Sequence, residues 1–510
     1  MPGDCFEGCQ ELPIQSDHIY SLRECCTFAF CAFVRERKGL SVIPVNTGRC
    51  SMNQARSTAF SPAALERLGS FVSDAALHPD AATLRCLRDG VVDVLGCILV
   101  GADTSVARKA QTAVRGLGAA GDRPVFGTDL RVSRPHAAFL NAVAGHALDF
   151  DDWEVPGNSH PTVVMIPALL AAADRKTSGA DLTSAYLAGF EVIARLGEAM
   201  NFEHYDRGWH TTATLGALGS AAAVARLLAL SPEQTTCALS LAVSRAAGYT
   251  CQFGSEAKPL QAGFAAQAGV ECAYLAQAGL SGQPDVMHHA KGMAALMGVP
   301  DPARLDRALD KLGKPLALAE HGLVLKPWPS CGYTHRIMTC ALELAPAIES
   351  AEDIQRIDLH LPDFHYAILP FDAPAKRAEA LFSLHFVSAM GLARRGLNLA
   401  DVARPSWLDP DISGLVRRTH VHPFAPKRPE LNYDPDDPDR MEVTLRDGRR
   451  LAATCPYPLG APQNPMTSDQ IRAKFTANAG RTGQALLDSL FDWPASTSVL
   501  TLLDSLGENP

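Results

Sequence analysis

"TTATLGALGSAAAVARLLAL", residues 211–230, decides the fold class. Its apolar positions recur with a period nearer 3.6 than 2, which is the signature of a helix and not of a strand. Ala, Gly and Ser fill the gaps, and such small side chains let neighbouring helices approach closely around a shared core. The same texture extends outward in both directions. Upstream lie "AATLRCLRDGVVDVLGCILVGA", "PHAAFLNAVAGHALDF", "PTVVMIPALLAAADRK" and "SGADLTSAYLAGFEVIARLGEAM". Downstream follow "SPEQTTCALSLAVSRAAG", "LQAGFAAQAGVECAYLAQAGL" and "DPARLDRALDKLG". Ser61-Pro62 and Ser231-Pro232 each place a capping serine before a proline suited to a first helical position. No repeat of fixed length emerges, so a solenoid is not expected.

After Lys326 the texture changes. "IQRIDLHLP" alternates like a strand, and "DRMEVTLRDGRRLAATCPYP" reads as a hairpin turning at Asp447-Gly448. "EALFSLHFVSAMGLARRG", between them, reads as one helix closing on Gly396. "TSDQIRAKFTANAG" and "RTGQALLDSLFDW" return to helix. The pattern predicts a mainly α chain: an all-α domain over 59–322, a smaller α+β unit over 323–456, and C-terminal helices over 457–510 that complete the first domain. Residues 1–58 are Cys-rich and without periodicity. They read as a poorly ordered N-terminal extension, with Met52 an alternative start.

The 510 residues are 47% apolar and 20% charged, so a large core is within reach and global disorder is not expected. A formal net charge of −9 gives no support to a nucleic-acid or anionic-membrane partner. No run reaches the ~18–20 apolar residues of a membrane span, and no secretory signal is expected. The 14 cysteines contain no C-x-x-C pair, which argues against an iron–sulfur cluster or a structural zinc. Scattered thiols fit a reducing, cytoplasmic setting.

The stretch "GHALDFDDWEVPGNSHPT", residues 145–162, packs Asp149, Asp151, Asp152 and Glu154 ahead of His160. Buried acids are rare unless paired or used, and acids at a helix C-terminus oppose its dipole by ~0.3–1 kcal/mol each. The knot therefore reads as a metal site, as the edge of an active site, or as a capped acidic loop. Three further stretches set a cation or imidazole at a loop-to-helix junction. "YDRGWHTTATLG" carries His210 and Thr211, and "GSEAKPLQAG" carries Lys258. "GLVLKPWPSCGYTHR" carries Lys326, Ser330, Tyr333 and His335. Helix N-termini attract carboxylates, and lysines add full charge. No dinucleotide, P-loop or nucleophile-elbow motif is present. Two lysines, two histidines and an aspartate suit proton abstraction beside a carboxylate, with cations holding the resulting enediolate. The expected partner is a small polycarboxylate.

The motifs "GHALDFDD", "HPTVVMIPALLAAAD", "GFEVIARLG", "RGWHTTATLGALGSAAA", "KPLQAGFAAQAGV", "KPWPSCGYTH" and "EALFSLHFV" resemble the MmgE/PrpD family, in family order from about residue 60 to 505. That resemblance implies a large helical domain with an α+β lid, an active site between them, and a homodimer. It implies catalysis without a metal or other cofactor, with Asp149, His160, His210, Lys258 and Lys326 as the acid–base and carboxylate-binding groups. Thr211, Ser330, Tyr333 and His335 stand beside them as substrate-binding candidates. Two features depart from the cis-aconitate decarboxylase branch. Trp153 follows the acids where that branch is expected to carry a threonine, and Tyr366 is no clean counterpart of its lid tyrosine. The expected activity is thus a hydro-lyase on a hydroxy polycarboxylate such as 2-methylcitrate, as in propionate catabolism. Its alternatives are an epimerase or racemase of an amino- or imino-dicarboxylate, a cis-aconitate-type decarboxylase, or a catalytically silent carboxylate binder.

Overall fold

The computed structural model describes residues 63–299 and 301–493. The predicted extension, 1–58, and the Ser61-Pro62 start lie outside them. The described chain is mainly α. Its helices run α1 Ala64–Asp74, α2 Ala81–Gly101, α3 Ser105–Gly116, α4 Arg134–His146, α5 Pro161–Ala172, α6 Gly179–Met200, α7 Glu203–Asp206, α8 Thr211–Leu227, α9 Pro232–Val243 and α10 Ala257–Gln277. Four of them, α2, α3, α6 and α9, begin on a side chain that satisfies a free N–H group. The Asp80 carboxylate accepts from Thr83 N at 2.7 Å at the start of α2. Ser178 with Asp181, and Ser231 with Gln234, form reciprocal capping boxes at α6 and α9.

Helix α5 is buried on every side, as its uniformly apolar sequence requires. Helices α4, α6, α8 and α10 pack around it. The approach is close enough at one crossing to exclude any side chain: a Cβ on Gly101 would lie 1.9 Å from the Ala144 carbonyl oxygen of α4. The helix Ser468–Phe491, kinked at Gly480 (φ 60°), packs on α2 and adds Ile471, Phe475 and Leu490 to this core.

A second core forms around a four-stranded sheet in the order β4-β3-β5-β6, with β3 Ile354–Pro362, β4 Thr419–Phe424, β5 Asp439–Leu445 and β6 Arg450–Cys455. Ile357, Leu359 and Leu361 of β3 face inward with Met441 and Val443 of β5. The helices His335–Leu344 and Leu384–Arg394 cover them. The hairpin turns at Asp447-Gly448 as read, with Gly448 at φ 90°.

Three features depart from the sequence reading. Strand β4, parallel to β3, was not foreseen, because Pro423 and alternating histidines mask an edge strand, where proline is tolerated. A small β1–β2 pair (Ala120–Pro124 with Arg131–Val132) was missed as well. The segment read as a single helix from Glu379 is broken: Arg377–Ala380 ends, and Ser383 caps a new helix through Phe386 N at 3.1 Å. The left-handed residue that closes this helix is Arg395 (φ 56°), not Gly396. No single described helix is long and apolar enough to cross a membrane. By length and composition α2 and α3 pass only as a pair bent by 78°.

Candidate active site

The loop Ala147–His160 joins α4 to α5, and its four acids do four different things. Asp149 adopts a left-handed backbone (φ 51°), which turns its side chain to meet two lysines. Its Oδ1 accepts from Lys258 Nζ at 2.6 Å and from Lys326 Nζ at 2.9 Å. Burial opposes this carboxylate, yet Lys258 and Lys326 hold its pKa well below the usual range. Asp151 faces two imidazoles, His146 Nδ1 at 2.9 Å and His160 Nδ1 at 3.1 Å. Asp152 lies deeper and accepts from the Thr162 hydroxyl. Burial, opposed by Thr162 and reinforced by Asp93 and Asp151, pushes its carboxyl well above the ordinary range. Glu154 pins the loop, accepting from Gly157 N at 2.7 Å and the Ser159 hydroxyl at 2.7 Å. Beneath them Lys474, from the C-terminal helix, pairs with Asp93 at 2.6 Å and donates to the Phe150 carbonyl at 2.7 Å.

Three helix starts converge above this loop. His160 is the N-cap of α5, His210 the N-cap of α8, and Lys258 lies in the first turn of α10. Lys326 arrives on an extended segment whose neighbour Val324 exchanges backbone hydrogen bonds with Trp153 at 2.8 and 3.0 Å. The groups line one cavity. Phe253, Phe382, Trp153, Tyr205 and Tyr333 complete its walls. The Lys258 ammonium sits over the rings of Phe382 and Phe253, at 4.9 and 5.2 Å.

The histidines share one tautomer. His160 Nδ1 faces only acceptors, the Asp152 carbonyl at 2.8 Å and Asp151 Oδ2 at 3.1 Å. The Gln261 amide donates to the Tyr249 carbonyl at 3.2 Å, so its oxygen faces His210 Nδ1 at 2.6 Å. Each neutral ring therefore carries its proton on Nδ1 and keeps a lone pair on Nε2. Burial lowers the His160 pKa to about 4 and that of His210 well below 6.5. At neutral pH the cavity therefore holds two neutral imidazoles beside Lys258 and Lys326, which share one carboxylate.

Residues 66–306 match the MmgE/PrpD N-terminal domain and residues 328–486 the MmgE/PrpD C-terminal domain. The chain belongs to the MmgE/PrpD family. Among its relatives, mouse cis-aconitate decarboxylase is 29% identical over 428 residues, covering 79% of this chain and 84% of the mouse protein. The human cis-aconitate decarboxylase is 29% identical over 436 residues, or 82% of this chain and 86% of the human protein. That of Aspergillus terreus (strain NIH 2624 / FGSC A1156) is 25% identical over 447 residues, or 82% and 89%.

Of the residues singled out in this family member's sequence, Asp149, His160, His210, Lys258, Lys326 and Tyr333 line the cavity. Three others do not. The Thr211 hydroxyl donates to the Asn158 carbonyl at 2.6 Å and holds the acid loop. Ser330 is turned to the Thr334 hydroxyl at 2.8 Å, and His335 to the Ser330 carbonyl at 3.3 Å and the Trp328 ring. Their burial leaves them to pack the wall from behind. Tyr366 donates to Asp372 at 3.2 Å, away from the cavity. Sequence reasoning missed His146, Asn158, Tyr205, Phe253, Gln261 and Phe382. Gln261 had a signal, one helical turn after Lys258 on the same face. Phe382 had none, since only the unforeseen helix break turns it inward.

Proposed function

We propose that the protein is a lyase acting on a small di- or tricarboxylate, in which His160 and His210 move a proton at a carbon beside a carboxylate. The observation that carries this reading is the convergence of Asp149, His160, His210, Lys258 and Lys326 from separate segments on one cavity. Lys258 and Lys326 can hold carboxylates and the charge that develops on them in the transition state. A bound polyanion raises the proton affinity of both imidazoles, so the same groups can serve as base or acid.

The activity named for the relatives supports loss of CO₂ from cis-aconitate or a close analogue as the first reaction to test. There the electron pair of the broken C–C bond spreads onto the conjugated carboxylate beside the ammonium groups. Carbon then takes a proton from an imidazolium. Trp153 favours a second reading, elimination of water from a hydroxy tricarboxylate such as 2-methylcitrate. Its indole fills a wall position where the decarboxylase branch is expected to carry a threonine, and its buried N–H has no partner among the described residues. In that reaction a histidine Nε2 takes the carbon-bound proton. The electron pair passes through the enediolate and expels hydroxide, which leaves as water with a proton from an ammonium or imidazolium group.

Proton NMR in deuterium oxide separates the readings. With cis-aconitate, a new pair of terminal-alkene signals and released CO₂ mark decarboxylation. With 2-methylcitrate, loss of skeleton protons and a new internal alkene mark elimination. If wild-type protein consumes no polycarboxylate, or if His210→Ala and Lys258→Ala both turn over at wild-type rate, the proposal fails.

A further inference from the structure

The turn Pro156-Gly157-Asn158 leads the acid loop to His160, and Asn158 adopts a left-handed backbone there (φ 50°). Asparagine is one of the few residues that tolerate this region, so the turn alone would account for its backbone. It does not account for the side chain. Asn158 lines the cavity, and two other wall residues, Tyr205 and Tyr333, stand beside its carboxamide. Its Nδ2 is buried and makes no hydrogen bond among the described residues. The Trp153 indole shares this condition. It is 3% exposed and packs edge-on against the Tyr333 ring, with centroids 6.1 Å apart, and its Nε1–H has no partner among the described residues. That nitrogen stands over Gly332, another wall residue, where a Cβ would come within 2.9 Å of it. Buried donors are paired in the great majority of cases, because an unpaired one loses its water without compensation. Two unpaired donors on one cavity point to an acceptor that the cavity receives. Both groups are neutral donors, so they suit holding an oxygen rather than moving a proton.

We propose that Asn158 Nδ2 and Trp153 Nε1 donate hydrogen bonds to a substrate carboxylate other than the one held by Lys258 and Lys326, and so fix how the substrate lies beside the histidines. This inference rests on the lyase reading and adds two binding residues to its site. The Thr211 hydroxyl, which donates to the Asn158 carbonyl at 2.6 Å, holds the backbone of the turn. Glu154 pins Gly157 and Ser159 on either side of Asn158. The carboxamide is thus set in place before a ligand arrives, and preorganised donors spare the ligand the cost of ordering the loop. Recognition of one carboxylate by neutral N–H groups also leaves both ammonium groups for the carboxylate on which the electron pair develops.

The test uses the full chain and an unreactive tricarboxylate, tricarballylate, whose dissociation constant is read by isothermal titration. Asn158→Gly keeps the left-handed turn and removes the carboxamide. Asn158→Asp keeps the shape of the side chain but exchanges its donors for a negative charge. Trp153→Phe removes the indole N–H and leaves an aromatic wall. Melting curves without ligand establish that each variant is folded. Asn158→Gly and Trp153→Phe are each expected to weaken tricarballylate about 3- to 10-fold, the worth of one lost hydrogen bond. Asn158→Asp is expected to weaken it further than Asn158→Gly, because the new carboxylate repels the ligand. Wild-type affinity in Asn158→Gly or in Trp153→Phe, or an Asn158→Asp chain that binds as well as Asn158→Gly, overturns the assignment and leaves the lyase reading standing. If the wild-type chain does not bind tricarballylate at millimolar concentration, the lyase reading falls and this inference with it.

Discussion

At the residue scale, chemistry here is set by which nitrogen of an imidazole carries the proton. Gln261 does not line the cavity, but its amide is anchored on the Tyr249 carbonyl and hands its oxygen to His210. Gln261→Leu removes that acceptor and frees His210 to carry its proton on Nε2, where it blocks the base. The expected loss in kcat is on the order of 10- to 100-fold, the range seen when a second-layer hydrogen bond to a metal-bound histidine is removed. Gln261→Glu sets a negative charge against the ring and raises its pKa. The limb of the rate–pH profile that titrates with His210 therefore moves to higher pH. A Gln261→Leu enzyme with wild-type kcat and an unshifted profile would falsify this role. The sequence marked the acidic knot as unusual but could not sort its members. Apart from the family resemblance, nothing local singles out Asp149, whose partners Lys258 and Lys326 stand 109 and 177 positions away. Density of charge is a local property, whereas pairing depends on the fold.

At the element scale, the site rests on how closely α2 and α4 cross. Helix α4 ends at His146, three residues before Asp149, so a displacement of α4 moves the acid loop. A methyl at Gly101 would stand 1.9 Å from the Ala144 carbonyl oxygen, and backbone cannot yield as a flexible side chain does. Gly101→Ala should cost about 1–3 kcal/mol by overpacking and lower turnover along with the denaturation midpoint. Gly116→Ala is the control. It sits at the end of α3 with nothing within 4 Å of the added methyl, and should be neutral or stabilise by about 0.4–1 kcal/mol. Urea denaturation with parallel rate measurement checks both, and a Gly101→Ala protein as stable as the control would contradict the packing account. The helices themselves were legible because their small residues and capping serines act locally, as at Ser231 and Gln234. The break at Leu381–Ser383 was not, since nothing in "EALFSLHF" interrupts helical periodicity. Instead, Cys331 N donates to the Leu381 carbonyl at 2.8 Å, a tertiary bond that competes with the helix.

At the scale of the whole molecule, the cavity is assembled from both cores. Asp149, His160, His210 and Lys258 stand on the helical side, whereas Cys331, Tyr333 and Phe382 belong to the core that contains the sheet. Lys326 spans the junction, donating to both the carboxylate and the carbonyl of Asp149 at 2.9 Å. A ligand that touches both sides binds only when the two cores are docked, so its binding energy adds to the stability of that arrangement. For a ligand at 100 times its dissociation constant the gain is about 2.7 kcal/mol. Tricarballylate should therefore raise the melting temperature of the wild-type chain in a concentration-dependent way. Lys326→Met removes one of the two cations and the strut to Asp149 together. The variant itself should melt earlier, because Asp149 loses half of its counter-charge in a buried setting. The informative quantity is the difference between liganded and free melting temperatures within each protein, which cancels that baseline loss. This difference should shrink strongly in Lys326→Met. If the variant keeps the wild-type increment at the same tricarballylate concentrations, the junction lysine does not hold the ligand, and the carboxylate must be bound from the helical side alone.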